Sequence, residues 1–136
     1  MIRLKGDHIE AIRAHGEKTY PHECGGMLIG EFAADGLKTV FETFPLENSS
    51  EEDQRNRVLL LPKDVLRAEK YARENKLDVI GYYHSHPTGH PRPSATDCEH
   101  ASGDLRAWAI VAGGEVAFWR DGEMGFEPLS HRVVDR

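Results

Sequence analysis

The sequence is poor in cysteine, and its two cysteines form no metal-binding or redox pattern. Cys24 and Cys98 are the only cysteines among 136 residues, and they are too far apart for a Cys-x-x-Cys pair. This spacing argues against a thiolate zinc site and against a thiol redox motif. Two free thiols in small buried residues are expected, and one disulfide between them stays open at this point.

Long apolar runs and clusters of basic residues are also missing. No segment approaches the roughly 20 apolar residues that span a bilayer, and residues 1–7 lack the apolar core of a signal peptide. The net charge of −6 and the absence of a Lys/Arg run argue against a general nucleic-acid partner. We therefore expect a soluble cytoplasmic protein that binds neither nucleic acid nor membranes. The oligomeric state stays open.

The sequence does have an ordinary globular composition, with 39% hydrophobic and 29% charged residues. A chain of this length suits one domain with its own core, so residues 1–136 are expected to form a single domain. Apolar residues at helical spacing predict helices over 7–19 and 62–75, and a short helix is predicted from Ser94.

Short apolar runs predict the strands, and glycine-containing pairs predict the turns between some of them. Strands are predicted near 2–4 and over 27–30, 39–44, 58–61, 77–84, 107–112, 115–119 and 124–129, with a polar loop at 47–56. Gly113-Gly114 predicts one hairpin and Asp121-Gly122 a second. The predicted fold class is α/β, with a mixed, mostly antiparallel sheet flanked by two or three helices.

The most informative stretch of sequence runs from His84 to Asp97. His84 and His86 end a predicted strand, and side-chain alternation places both imidazoles on the same face. The Pro/Gly-rich loop 87–93 then reverses the chain, so that Asp97 in the first turn of a helix can meet them. Two imidazoles and one carboxylate suit a catalytic zinc ion, because three protein ligands leave the fourth position for water.

Each part of this pattern also has a simpler interpretation. A lone His-x-His is more often a surface or core pair than a metal site, and Ser94-x-x-Asp97 alone is typical of a helix capping box. The parts together, at this spacing and joined by this loop, favour a metal site. Two competing zinc signatures are absent from the sequence, namely His-Glu-x-x-His and the Pro-Cys-x-x-Cys of zinc deaminases.

The stretch resembles the JAMM signature, which is His-x-His, seven residues, Ser, two residues and Asp. His84, His86, Ser94 and Asp97 match it without a gap, and residues 21–30 are similar to the family's Pro-x-Glu…Gly-Leu-Leu-x-Gly segment. The sequence is therefore identified as a member of the JAMM/MPN+ (JAB domain) family of zinc metalloproteases, compact prokaryotic type. The resemblance implies an MPN/JAB-like fold with a curved sheet.

The resemblance also implies a role for each matching residue. It makes His84, His86 and Asp97 the zinc ligands, Glu23 the general acid/base, and Ser94 a donor that helps to stabilise the oxyanion. Without it, Glu23 would be one of 23 acidic residues with nothing to single it out. The sequence departs from the family at Gly25, where cysteine is common, and glycine is expected to preserve the backbone there.

The family implies hydrolysis of an amide bond at or near the C-terminus of a ubiquitin-like protein. The short chain favours the compact prokaryotic members, and with them a substrate of the sulfur-carrier type. Two alternatives stay open. One is an isopeptidase that removes a ubiquitin-like modifier from protein conjugates, and the other is a non-catalytic MPN scaffold module. Retention of all three ligands and Glu23 argues against the scaffold.

The remaining conspicuous residues receive weaker expectations. His90 lies in the loop between the motif's histidines and its serine, where an exposed histidine without a role is favoured over a substrate contact. Asn48 and Arg57 border the substrate groove by resemblance only. Four aromatic residues are expected to pack in the core, and these are Tyr82, Tyr83, Trp108 and Trp119.

Overall fold

The computed structural model describes residues 1–46, 62–87, 89–99 and 101–134, which form eight strands and three helices. In chain order the elements are β1 (Ile2–Lys5), α1 (Gly6–Thr19), β2 (Gly25–Phe32), β3 (Lys38–Leu46), α2 (Pro62–Glu74), β4 (Asp78–Ser85), α3 (Ala95–Glu99), β5 (Ala107–Ala112), β6 (Glu115–Gly122), β7 (Gly125–Pro128) and β8 (His131–Val134).

The predicted helices are confirmed, and so are the strands predicted near 2–4 and at 27–30, 39–44, 77–84 and 107–112, all within two residues at their ends. The hairpin at Gly113-Gly114 is also confirmed. Both glycines have positive φ, at 58° and 82°, as a two-residue type I′ turn requires. The predicted loop 47–56 and strand 58–61, with Asn48 and Arg57, lie outside the described residues.

The strands form one curled, mixed sheet in the order β7-β6-β5-β4-β2-β3-β1-β8. β7 and β8 lie at opposite edges, yet only Leu129 and Ser130 separate them in sequence. The sheet must therefore curl until its edges approach each other. Backbone hydrogen bonds close the gap, since Leu129 N–H donates to Phe118 O and Ile2 N–H donates to Ser130 O, both at 3.0 Å.

The curled sheet carries one helix on each face. α1 contacts β1, β3, β4, β5 and β6, which places it inside the curl, and its buried Ile12 packs in a cluster that includes Ile80. α2 covers the other face, where Ala68 and Ala72 pack in a cluster with Val79. β4 is therefore buried on both sides, which explains its nearly continuous apolar sequence. Among the described helices, none has the length and apolar character needed to cross a bilayer.

The second predicted hairpin is wrong in position, because Asp121-Gly122 is not the turn. β6 continues through Gly122, and the turn to β7 lies at 123–124. Asp121 is only 1% exposed, and its carboxylate accepts backbone N–H groups of Ser102 at 2.9 Å and Gly103 at 3.0 Å. An aspartate that binds the α3–β5 connection in this way belongs to a strand interior and not to an exposed hairpin tip.

Gly81 on β4 provides a test of the pairing between β4 and β5, in which it lies opposite Ala107. Any side chain at this position would collide with the backbone carbonyl oxygen of Ala107 on the neighbouring β5. We expect Gly81→Ala to lower the free energy of unfolding, measured by urea denaturation, by about 3 kcal/mol. Gly6→Ala is the matched control, because its nearest neighbour would be a side-chain atom at an ordinary 3.9 Å. Equal stability of the two variants would contradict the packing of β4 against β5.

Candidate metal centre

The end of β4 presents two imidazoles to the same side. His84 lies within β4 and His86 follows directly after Ser85, the last strand residue. The backbone remains extended there, because His86 N–H donates to Val111 O on β5 at 2.8 Å. Two residues along an extended chain bring side chains back to one face, and the Nε2 atoms of His84 and His86 lie 3.0 Å apart.

Asp97 reaches the histidines from the first turn of α3. Ser94 precedes the helix and caps it, since its Oγ accepts Asp97 N–H at 3.1 Å and its own N–H donates to Asp97 Oδ2 at 2.8 Å. This reciprocal pair is the capping box that the sequence pattern allows. The capping interpretation and the metal interpretation are therefore compatible, because the cap fixes the carboxylate in place.

The three side chains converge on one point. Asp97 Oδ2 lies 3.2 Å from His84 Nε2 and 3.1 Å from His86 Nε2, which completes a nearly equilateral triangle of donor atoms. Ligands at about 2.0–2.1 Å in a tetrahedral zinc site are roughly 3.3 Å apart. The spacing and the nitrogen and oxygen chemistry of this set fit a zinc-type divalent ion.

The donor set is largely shielded from solvent, with exposed side-chain fractions of 7% for His84, 10% for His86 and 14% for Asp97. Trp108 packs edge-on against the His84 ring, with ring centroids 5.4 Å apart. Burial raises the pKa of Asp97, but hydrogen bonds to both histidines outweigh it and hold that pKa well below its usual range. The site therefore keeps an ionised carboxylate.

A backbone carbonyl sets the orientation of the His86 ring. Nδ1 of His86 lies 3.1 Å from the carbonyl oxygen of His90. A carbonyl can only accept, so Nδ1 carries a proton, and Nε2 is the ring nitrogen that remains to bind a metal. Burial lowers the pKa of His86, and the hydrogen bonds to Asp97 and to the His90 carbonyl outweigh this and raise it overall. A partner of this type commonly orients metal-bound histidines.

Glu23 lies beside this cluster because of the pairing between β2 and β4. Gly25 is opposite His84 in the antiparallel register. Hydrogen bonds between Cys24 and Ser85 continue the pairing, with Ser85 N–H donating to Cys24 O at 3.1 Å and Cys24 N–H to Ser85 Oγ at 2.8 Å. Glu23 precedes these residues in sequence, and its negative charge lies close enough to contribute to raising the pKa of His86.

Glu23 is buried, with 5% of its surface exposed, whereas Ser94 is exposed beside the cluster. The Ser94 hydroxyl accepts an N–H from Asp97, and its own O–H can still donate. Of the five predicted site residues, His84, His86 and Asp97 contact one another directly. Glu23 acts on His86 through its charge, and Ser94 is hydrogen-bonded to Asp97. Their catalytic roles stay predictions.

The structure also shows where the two cysteines, His90 and Tyr83 lie relative to the predictions made for them. Both cysteines are free thiols, and Cys24 is buried as expected while Cys98 is exposed. The side chain of His90 is exposed, but its backbone carbonyl accepts a hydrogen bond from His86. Sequence reasoning missed this contact, because every residue has a carbonyl and none is marked by its residue type. Tyr83 is buried as predicted, and its hydroxyl lies 2.7 Å from His15 Nδ1.

A family model of prokaryotic homologs of the JAB domain matches residues 5–122. A desampylase from Haloferax volcanii is 32% identical over 105 residues, which cover 74% of this chain and 73% of that protein. The tail tip assembly protein K of Escherichia phage N15 is 30% identical over 116 residues, or 85% of this chain. The chain spans only 40% of the length of this phage relative.

Solved structures show the same architecture. A protein from Desulfitobacterium hafniense, solved in solution, superposes with a TM-score of 0.88 at 26% identity, covering 100% of this chain and 94% of its own. A JAB1/MPN domain protein from Archaeoglobus fulgidus superposes with a TM-score of 0.64 at 19% identity, covering 99% of this chain and 100% of its own, which shows a shared fold. With its family match extending over most of its length, this chain belongs to the prokaryotic homologs of the JAB domain.

Proposed function

We propose that this protein is a zinc-dependent metallopeptidase that hydrolyses an amide bond at or near the C-terminus of a ubiquitin-like protein of the sulfur-carrier type. The observation that carries the proposal is the triangle of Nε2, Nε2 and Oδ2 atoms at 3.0–3.2 Å, with buried Glu23 beside it. Membership of the JAB family and the likeness to a desampylase support peptide-bond hydrolysis and a ubiquitin-like substrate.

His84, His86 and Asp97 would hold the metal in this proposal. Zinc, when bound, supplies a Lewis acid that polarises a carbonyl and makes water acidic enough to attack at neutral pH. The protein contributes the fixed orientation of the three ligands. The capped helix holds the carboxylate, and the His90 carbonyl holds one imidazole.

Glu23 is assigned the proton transfers. Its carboxylate takes the proton of the attacking water and delivers it to the leaving amine as the amide bond breaks. Burial at the junction of β2 and β4 suits this role, because a carboxylate shielded from bulk water is a more effective base. The charge of Glu23 acts on His86, and Glu23 does not belong to the triangle of ligand atoms, which suits a base that acts beside the metal.

Ser94 is assigned to the developing negative charge on the carbonyl oxygen of the substrate. Its hydroxyl hydrogen is the group that donates there, since the hydroxyl oxygen already accepts Asp97 N–H in the helix cap. The cap fixes the hydroxyl before substrate arrives, so little reorganisation is needed during the reaction.

Removal of a ubiquitin-like modifier from protein conjugates is the second candidate function. The likeness to a desampylase, which extends over 74% of this chain, favours it. Incubation of the zinc-loaded protein with a ubiquitin-like carrier that has a short C-terminal extension, and separately with a conjugate, distinguishes the two by mass spectrometry. Our proposal predicts a shortened carrier that is lost with a chelator. No cleavage of either substrate by protein that holds zinc would contradict hydrolysis.

We expect the ligand variants to lose metal. His84→Ala removes one corner of the triangle, and Asp97→Asn keeps an acceptor for the helix cap but removes the negative charge, so each should weaken zinc binding more than about 100-fold. Metal analysis of the desalted proteins measures this loss. His90→Ala is the matched control, because it removes an exposed imidazole but keeps the carbonyl that holds His86. Undiminished zinc in either ligand variant would contradict the ligand set.

Glu23→Gln should keep zinc and lose turnover. The amide has the shape of the carboxylate but cannot take the proton of the attacking water, so we expect kcat to fall about 10²–10⁴-fold. Steady-state kinetics and metal analysis of the same preparation measure both properties. Glu31→Gln makes the same change on an exposed residue of β2 and should remain fully active. Full activity in Glu23→Gln would show that another group is the base.

Ser94→Ala should lower kcat about 10²–10³-fold if its hydroxyl stabilises the oxyanion. The change also removes the helix cap, which costs about 1 kcal/mol of stability, so thermal unfolding is measured alongside the kinetics. Ser94→Thr is the control that retains both the cap and the hydroxyl. A Ser94→Ala enzyme with the same kcat as the unchanged protein would rule out this role.

A further inference from the structure

A tryptophan from a distant strand holds the loop that follows the two histidines. Trp119 lies on β6, where it pairs with Trp108 of β5 in the cross-strand register. Its indole Nε1–H donates to the backbone carbonyl of Pro91 at 3.0 Å. The sequence predicted core packing for this residue, but Trp119 is only half-buried and makes a specific polar contact.

The loop has an unusual need for such an anchor. Pro87, Pro91 and Pro93 lack a backbone N–H, so this segment has few donors with which to form hydrogen bonds of its own. A fixed loop then requires donors from elsewhere in the fold. The indole of Trp119 supplies one of them at the middle proline.

A chain of hydrogen bonds connects the Trp119 indole to the His86 imidazole, and it passes through the peptide group between Pro91 and Arg92. The carbonyl of Pro91 and the N–H of Arg92 belong to the same rigid, planar peptide group. Trp119 holds the oxygen of this group, and Arg92 N–H donates to the carbonyl oxygen of His90 at 2.8 Å. The same His90 oxygen accepts Nδ1–H of His86.

We propose that Trp119 is a positioning residue for the metal centre, which acts through the peptide unit between Pro91 and Arg92 to fix the His90 carbonyl and thereby the His86 ring. The inference rests on the proposed metal-binding function. Loss of the indole N–H would free this peptide group to rotate. The His90 carbonyl would then lose its fixed direction, and Nε2 of His86 would be less well aligned for a metal.

The test is the zinc dissociation constant, measured by competition with a chelator of known affinity. Trp119→Phe keeps an aromatic ring but removes the donor, and we expect zinc binding to weaken about tenfold, at the low end of the effect of direct outer-sphere partners. Trp108→Phe makes the same change on the paired residue and should cause a smaller loss. Its indole N–H has no hydrogen-bond partner within the described residues.

An isosteric replacement separates the hydrogen bond from packing and covers the case in which Trp119→Phe fails to fold. The chain has two tryptophans, so benzothienylalanine supplied in place of tryptophan to the Trp108→Phe protein enters only at position 119. This residue keeps the ring shape and replaces N–H by sulfur. Zinc binding about tenfold weaker than in the Trp108→Phe parent, with the same thermal unfolding of the metal-free proteins, supports the proposal.

The outcomes distinguish this inference from the proposed function. Equal zinc affinity of the isosteric protein and its parent would overturn the positioning role of Trp119 and leave zinc binding intact. A lower stability of the metal-free protein without a change in zinc affinity would also overturn it, because it would reduce Trp119 to a packing residue. Failure of the unchanged protein to bind zinc would overturn both the proposed function and this inference.

Discussion

The antiparallel pairing of β2 with β4 is the constraint on which the site depends. Its register places Gly25 opposite His84, and the hydrogen bonds between Cys24 and Ser85 continue it beyond the strand ends. Glu23 is therefore held beside His86, although more than 60 residues separate them in sequence. A slip of one residue would turn every side chain of the strand to the other face of the sheet. The buried faces of β4 prevent that slip, because apolar residues pack on both of them.

Two sets of hydrogen bonds fix the two ligands that lie beyond the end of β4, which are His86 and Asp97. The capping box of α3 fixes the Asp97 carboxylate, and the His90 carbonyl fixes the His86 ring. Each support uses backbone groups, which move less than long side chains. This arrangement explains how an exposed, proline-rich loop and a helix of five residues maintain donor atoms within 3.2 Å of one another. Preorganised ligands reduce the ordering that metal binding would otherwise require.

Much of the fold and the ligand triangle was predictable from local sequence patterns. Periodicity located the helices and most strands, and the spacing of His84, His86 and Asp97 identified the cluster because these residues are neighbours in sequence. Strand β8 was not predicted because it is short and mostly exposed, so it has little apolar pattern. Its parallel pairing with β1 depends on the curl of the whole sheet and not on local sequence. The prediction of a turn at Asp121-Gly122 was wrong because it considered only these two residues. It could not include the distant loop whose backbone N–H at Ser102 donates to the Asp121 carboxylate.

Contacts between distant segments set the limit of sequence reasoning at the site. Glu23 was identified only through family resemblance, since one carboxylate among 23 carries no local signal. The carbonyl of His90 and the indole of Trp119 gave no signal at all, because their roles arise from the path of the loop over β6. The family match gives a span of residues, 5–122, and assigns none of these three contacts.

X-ray absorption spectroscopy of the zinc-loaded protein tests the central claim most directly. Two imidazoles and one carboxylate predict a first shell of nitrogen and oxygen only, at about 2.0–2.1 Å, with the outer-shell scattering of two histidine rings. His84→Ala should reduce this scattering to one ring. A sulfur neighbour at about 2.3 Å would instead assign the metal to Cys24 or Cys98 and contradict the ligand triangle.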